Sequence, residues 1–152
     1  MKRKVTIKFK RLSDQFGNIP LPAYSTEGSS GMDIRAAIEE PFILHHLQTG
    51  TIPTNLSVEI PDGYEIQVRP RSGLSANHGI GILNSPGTID SDYRGEIKII
   101  LINFDKGEYI IHPGDRIAQL IVSKVYRAKL EETQELNNSK RGKGGFGHTG
   151  KA

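Results

Sequence analysis

Apolar side chains recur at every second position in Leu56, Val58 and Ile60, and again in Tyr64, Ile66 and Val68, with Pro61-Asp62-Gly63 between the two runs. A period of two belongs to strands with one buried face. Proline presets φ for a turn and glycine tolerates positive φ, so these runs are predicted to form a hairpin. Val5, Ile7 and Phe9 repeat the alternation near the N-terminus, and RIAQLIVSKVY (Arg116–Tyr126) is a further long strand candidate. EIKIILINF (Glu96–Phe104) is instead apolar on both faces in its middle. That predicts a strand buried twice, in a sandwich core or against another subunit. The best helical candidate is a turn or two around Leu74–His78. Seventeen Gly and eight Pro fall at short intervals between the runs. The chain is therefore predicted to be all-β, a sandwich or barrel of many short strands with one short helix.

At 152 residues the chain is the size of one domain. Residues 1–135 read as a single β domain and 136–152 as a Gly-rich arm, expected to be flexible unless it docks on something. Cysteine is absent, so no disulfide framework and no thiolate zinc site is possible. The N-terminal MKRKVTIKFKRL lacks the unbroken apolar stretch of a signal peptide, and no run approaches the roughly 18 apolar residues that cross a bilayer. A cytoplasmic protein with no membrane partner is expected. The formal charge is +3, with much of the excess at the two ends. Nucleic-acid binding would interleave basic residues with stacking aromatics, and the 5 Tyr and 5 Phe are scattered. No nucleic-acid partner is expected; an anionic small molecule explains the basic residues equally well.

Five segments are over-specified for structure alone. GMDIRAA (Gly31–Ala37) places Asp33 in a strand-like context, and taken by itself reads as a strand carboxylate. PRSGLS (Pro70–Ser75) presents Arg71, Ser72 and Gly73 in succession. A guanidinium, a hydroxyl and backbone N–H groups opening a short helix suit phosphate oxygens, although a turn with a capping Ser fits as well. Asn84, in GILN, carries a donor and an acceptor on one amide, suited to a nucleobase edge. GTIDSDYRGE (Gly87–Glu96) then crowds Asp90, Asp92, Tyr93, Arg94 and Glu96 together, which is costly unless several face water, a partner or a ligand. In GDRIAQ (Gly114–Gln119), Gln119 could reach a phosphate or tie down a loop, while Asp115 and Arg116 read as a turn pair.

The fifth segment is RGKGGFGHTGK (Arg141–Lys151). Gly145–Lys151 matches the G-x-x-x-x-G-K phosphate loop, but Ala152 stands where a magnesium-binding hydroxyl belongs and no helix can follow, so that reading is rejected. What remains is an arm with Arg141 and one aromatic, Phe146, which has no core to join and is expected to cover a ligand or partner surface. The adjacent His45 and His46 would point to opposite faces of a strand, and His78 and His112 lack ligand-like spacing, so none is assigned a metal.

In this order, from Gly31 to the C-terminus, the five segments resemble the trimeric dUTP diphosphatase family. The resemblance implies a jelly-roll β-sandwich, a homotrimer with active sites shared between subunits, and hydrolysis of dUTP to dUMP and pyrophosphate. Such an activity limits uracil in DNA and supplies dUMP for thymidylate synthesis. Carried over residue by residue, Asp90 would activate a water for attack on the α-phosphorus. Asn84, Thr88, Ile89 and Lys98 would line the nucleoside pocket, and Tyr93 would pack on the deoxyribose and reject a ribose. Arg71, Ser72, Gly73 and Gln119 would position phosphates, Arg141 would reach the terminal phosphate, and Phe146 would stack on uracil. Asp33 would hold Mg²⁺ through water. Asp92, Arg94 and Glu96 fall to structural or interface roles. The rivals are a dCTP deaminase of the same superfamily, which needs a Glu poised over a cytosine amino group, and a regulatory dUTP-binding relative, from which at least one site residue should be missing.

Overall fold

Period-two alternation decides where strands form, and the Gly and Pro between them decide where they stop. The computed structural model describes residues 4–145. In chain order its elements are β1 (Lys8–Arg11), β2 (Ala23–Tyr24), β3 (Met32–Arg35), β4 (Phe42–Leu44), β5 (Thr49–Pro53), β6 (Leu56–Glu59) and β7 (Tyr64–Arg69). Helix α1 (Ser72–His78) follows, then β8 (Ile80–Ile82), β9 (Gly87–Ile89), β10 (Lys98–Asn103), β11 (Tyr109–Ile111) and β12 (Arg116–Lys124). Among the described residues these strands form antiparallel sheets of order β2-β3-β12-β7-β9, β5-β10-β8, β1-β6 and β11-β4. The result is an all-β sandwich of short strands with one short helix, as their cadence predicts, and of the jelly-roll type that the resemblance implies. No helix among the described residues is long and apolar enough to cross a membrane.

The expected hairpin across Pro61-Asp62-Gly63 does not form. The turn is present, with Tyr64 N donating to the Pro61 carbonyl at 3.2 Å. Yet β6 pairs with β1, whereas β7 pairs with β12 and β9. The tripeptide is a corner that carries the chain from one sheet to another, and period two cannot distinguish the two outcomes because both leave the same face buried.

Inward-facing residues of the sheets form one cluster that includes Ile34, Leu44, Ile66, Ile99, Leu101 and Leu120. Each such side chain contributes about 1.5–3 kcal/mol by leaving water. In β10, Ile99, Leu101 and Ile102 are all buried within a single chain, so burial on both faces needs no partner; Ile100 is only half-buried. The buried polar groups are satisfied. Asn103 Nδ2 donates to the carbonyls of Leu44 and Gly107, both at 2.8 Å, and its Oδ1 accepts the Asp105 amide at 2.9 Å. Thr54 Oγ1 donates to the Ile97 carbonyl at 2.6 Å. Helix α1 ends at Gly79, whose φ of 63° and N–H bonds to the Leu74 and Ser75 carbonyls close its last turn.

Candidate active site

The five-stranded sheet places the chemistry-bearing segments at two separate points. At its β9 edge, a cleft of about 240 Å³ is lined by Asn84, Thr88, Ile89, Asp90, Tyr93 and Lys98, together with Thr51, Val68, Gly87, Glu96, Ile97 and Ile100. β9 pairs with β7 (Gln67 opposite Thr88), so Ile89 is held in the core while Thr88 faces out. Strand alternation thus delivers Asp90, the next residue, to the cleft rim. Asn84 comes from the turn after β8, where Ser85 N donates to the Ile82 carbonyl at 3.2 Å and Leu83 N to the Ile100 carbonyl at 3.0 Å. Its amide lies against Gly87, where a Cβ would come within 3.2 Å of Nδ2.

The crowded loop after β9 is held by its own members. Tyr93 N donates to the Asp90 carbonyl at 3.2 Å. Arg94 Nη1 ties the Ser91 and Tyr93 carbonyls at 2.7 and 2.9 Å. The Tyr93 hydroxyl donates to the Glu96 carbonyl at 3.0 Å, and its ring lies so close over Gly95 that a Cβ there would collide with the hydroxyl. Glu96 Oε1 accepts the Asn55 amide at 2.9 Å, and Oε2 faces Lys98 Nζ at 3.7 Å. Arg94 and Glu96 are thus both engaged in holding the loop. Asp90 differs: among the described residues no group hydrogen-bonds or pairs with its carboxylate, which borders both the cleft and a second, acidic groove containing Asp62, Glu65 and Asp92.

The second point lies where β3, β12 and the loop into α1 meet. Asp33, half-buried on β3, accepts Arg71 Nε on Oδ1 at 2.9 Å and Arg116 Nη1 on Oδ2 at 3.1 Å. Arg71 also donates through Nη1 to the Arg116 carbonyl at 3.3 Å. Gln119 Nε2 donates to the Pro70 carbonyl at 2.9 Å, and its Oε1 fills the space that a Cβ at Gly31 would need. Of the two roles open to Gln119, tying down the loop is the one seen. Ser72 and Gly73 are exposed at the first turn of α1, whose opening amides have no acceptor within the helix. Nearby, the Tyr109 ring contacts the His78 ring at 5.2 Å. Burial pushes the Tyr109 phenol above its ordinary value, helped by the Asp115 carboxylate and opposed by Arg71.

Asp33 and Asp90 do not meet within one chain. β3 and β9 are separated by β12 and β7, three inter-strand spacings or about 14 Å. Arg141 joins neither point; its Nε donates to the Gly144 carbonyl at 2.7 Å. Phe146 lies outside the described residues. Among the described residues no group of three His, Cys, Asp or Glu side chains could cage a metal ion.

The profile of the family described as dUTPase matches residues 17–150. The chain belongs to the dUTPase family. It is 50% identical over 149 residues to the deoxyuridine 5'-triphosphate nucleotidohydrolase of Fusobacterium nucleatum, covering 98% of this chain and 99% of that protein. The protein of the same name from Chlamydia pneumoniae is 59% identical over 131 residues, covering 86% of this chain and 90% of its own. Among solved structures, a mutant Staphylococcus bacteriophage 80alpha dUTPase with dUpNHpp matches at a TM-score of 0.85 and 27% identity, covering 95% of this chain and 98% of that one. A mutant dUTPase from phage phi11 of S. aureus, described as revealing the coordination of a structural Mg(II) ion, matches at a TM-score of 0.77 and 25% identity, covering 88% and 99%.

For this dUTPase-family chain, sequence reasoning missed one residue of the cluster around Asp33. Arg116 read as half of a turn pair. Asp115 is indeed a turn residue, with its Oδ2 accepting His112 N at 2.8 Å, but Arg116 opens β12 and reaches Asp33. The signal was a β-bulge: two residues of β12, from Arg116 to Ala118, stand opposite one step of β3, from Arg35 to Ile34. Arg116 and Gln119, three apart, would face opposite ways on a regular strand; the bulge puts both on the face of Asp33.

Proposed function

We infer that this chain hydrolyses dUTP to dUMP and pyrophosphate. The observation that carries this reading is the cleft at the β9 edge, which gathers Asn84, Thr88, Ile89, Asp90, Tyr93 and Lys98 around one carboxylate that no described residue pairs with. Asn84 and the adjacent backbone read the uracil edge, with Lys98 and Ile100 closing the floor. The Tyr93 ring, fixed by its hydroxyl and by Gly95, forms the sugar wall and leaves no room for a 2′-hydroxyl. Asp90 accepts a proton from a water whose oxygen attacks the α-phosphorus. The α–β bridging P–O bond breaks and its electron pair leaves with pyrophosphate. A general base of this kind typically contributes about 10²–10⁴-fold, and the rest comes from positioning and charge stabilisation.

Arg71, Ser72, Gly73 and Gln119 form the phosphate side of the site, with Arg141 and Phe146 supplied by the arm of residues 136–152. The separation of about 14 Å between the Asp33 and Asp90 strands supports a site shared between subunits of a homotrimer, in which a neighbouring chain brings its own Asp33 side to the Asp90 cleft. The residues present fit Mg²⁺ only as an outer-sphere guest: among the described residues Asp33 belongs to no group of three metal-ligating side chains, and both its oxygens already accept a guanidinium. Its remaining lone pairs could accept from metal-bound waters, and Mg²⁺ held there would neutralise charge on the triphosphate. A chain without cysteine suits the reducing cytoplasm.

The geometry does not favour a deaminase. The one Glu of the cleft, Glu96, is engaged by the Asn55 amide and lies beside Lys98, so it is not poised as a proton shuttle. Pyrophosphate release measured with dUTP, UTP and dCTP tests the reading: turnover of dUTP alone is expected, and none with dUTP overturns it. Asp90→Asn should lower kcat by about a hundredfold or more while affinity for dUpNHpp survives. Loss of binding instead would make Asp90 a ligand-holding group.

A further inference from the structure

We propose that Arg116 is a positioning residue of the phosphate site: it fixes the Asp33 carboxylate, and Asp33 in turn fixes Arg71. The proposal rests on the reading of Arg71 as a phosphate-binding group. An Asp carboxylate turns softly about its last torsion, so a single partner would leave its plane poorly defined. Here each oxygen has its own guanidinium, Arg71 Nε on Oδ1 and Arg116 Nη1 on Oδ2, which fixes that plane. Arg71 is then held at two points, by Asp33 and by the backbone carbonyl of Arg116 itself, and its Nη2 makes no hydrogen bond among the described residues. The same strand holds the residue before it, through Gln119 on the Pro70 carbonyl. Both anchors of the Pro70–Arg71 step thus come from β12. They share a face only because of the bulge between Arg116 and Ala118.

Arg71 and Asp33 are largely shielded, at 25% and 21% side-chain exposure, while Arg116 is 47% exposed. The outer arginine can be removed with little loss of packing. Its removal frees one carboxylate oxygen and, with it, the orientation of Arg71.

Binding of dUpNHpp and of dUMP is to be measured on Arg116→Gln and Arg116→Met, with Asp33→Asn and the Asp33→Asn/Arg116→Gln double variant alongside. Loss of a charge-assisted hydrogen bond at a half-exposed site should weaken dUpNHpp about tenfold in both single Arg116 variants. Affinity for dUMP should stay unchanged, because dUMP lacks the outer phosphates, and its binding also reports that the variants fold. On the Asp33→Asn background, Arg116→Gln should cause no further loss. Unchanged dUpNHpp binding overturns the proposal, as does equal weakening of both ligands, which would mean general damage. Additive losses in the double variant also overturn it, because Arg116 would then act on phosphates by itself. These outcomes are separate from the function: a wild type that releases no pyrophosphate from dUTP defeats the hydrolase reading, whereas an active wild type with normally binding Arg116 variants defeats only this inference.

Discussion

Replacing Gly95 by Ala tests whether the Tyr93 ring is the wall that excludes ribose. A Cβ at Gly95 would collide with the Tyr93 hydroxyl, and would lie 2.6 Å from Cζ and 3.0 Å from Cε2. Carbon contacts settle at about 3.5–4.0 Å, so the ring must retreat by about 1 Å. Gly95 is not among the glycines with positive φ, so Ala fits its backbone and the conflict is confined to the ring. A shift of that size stretches the 3.0 Å bond between the hydroxyl and the Glu96 carbonyl beyond bonding range. For an exposed neutral hydrogen bond the loss is about 1 kcal/mol, or about 3 °C in Tm for a domain of this size. The same 1 kcal/mol is about a fivefold change in the population holding the ring in place. The ratio of kcat/KM for UTP to that for dUTP should therefore rise about fivefold or more, read by pyrophosphate release on each nucleotide. Tyr93→Phe is the comparator: it breaks the same hydrogen bond without pushing the ring, so it should show that fivefold change alone, and any excess in Gly95→Ala reports the displaced ring. An unchanged ratio in Gly95→Ala would refute the assignment of Tyr93 as the sugar wall.

Three further outcomes are expected. Asn103→Ala leaves the carbonyls of Leu44 and Gly107 and the Asp105 amide without their partner in a buried region, and should cost about 3 kcal/mol in urea unfolding; a loss below about 1 kcal/mol would mean that water replaces the side chain. Tyr109 has a raised pKa from burial, so its stabilising contribution is fully present below its ordinary value of 10.0 and fades as pH rises through the higher folded value. The stability difference between wild type and Tyr109→Phe should accordingly move against wild type above that pH, and parallel stability profiles would contradict the burial argument. Deleting Arg141–Ala152 should impair dUTP turnover while the oligomeric mass, seen by light scattering, remains that of a trimer of truncated chains; a monomer would make the arm a structural strap instead of a lid.

What the sequence shows and what it hides divides along a physical line. Residues whose role follows from period two were legible. Ile66 and Val68 of β7 face inward, Asp33 sits on a strand, and Ile99, Leu101 and Ile102 of the doubly apolar β10 are buried, as the pattern predicts. The cleft was legible for a related reason: Asn84, Thr88, Ile89, Asp90, Tyr93 and Lys98 come from three consecutive segments, so neighbourhood in sequence survives as neighbourhood in space. Pairing was not legible. β6 and β7 look like a hairpin and belong to different sheets, because a corner and a hairpin use the same turn residues and bury the same faces.

Arg116 was hidden by the converse of the rule that revealed the rest. A strand's faces are counted off in twos, and the count holds only while the ladder is regular. At the start of β12 it is not, and one inserted residue exchanges the faces from that point on. Read without the bulge, Arg116 and Gln119 cannot serve the same site; read with it, they grip adjacent residues, Arg71 through Asp33 and Pro70 directly. The irregularity thus lets a single strand anchor both the loop of Pro70 and Arg71 and the carboxylate that pairs with Arg71. Any change restoring a regular ladder between Arg116 and Ala118 should therefore uncouple Arg71 from Asp33 even with every side chain of the cluster retained.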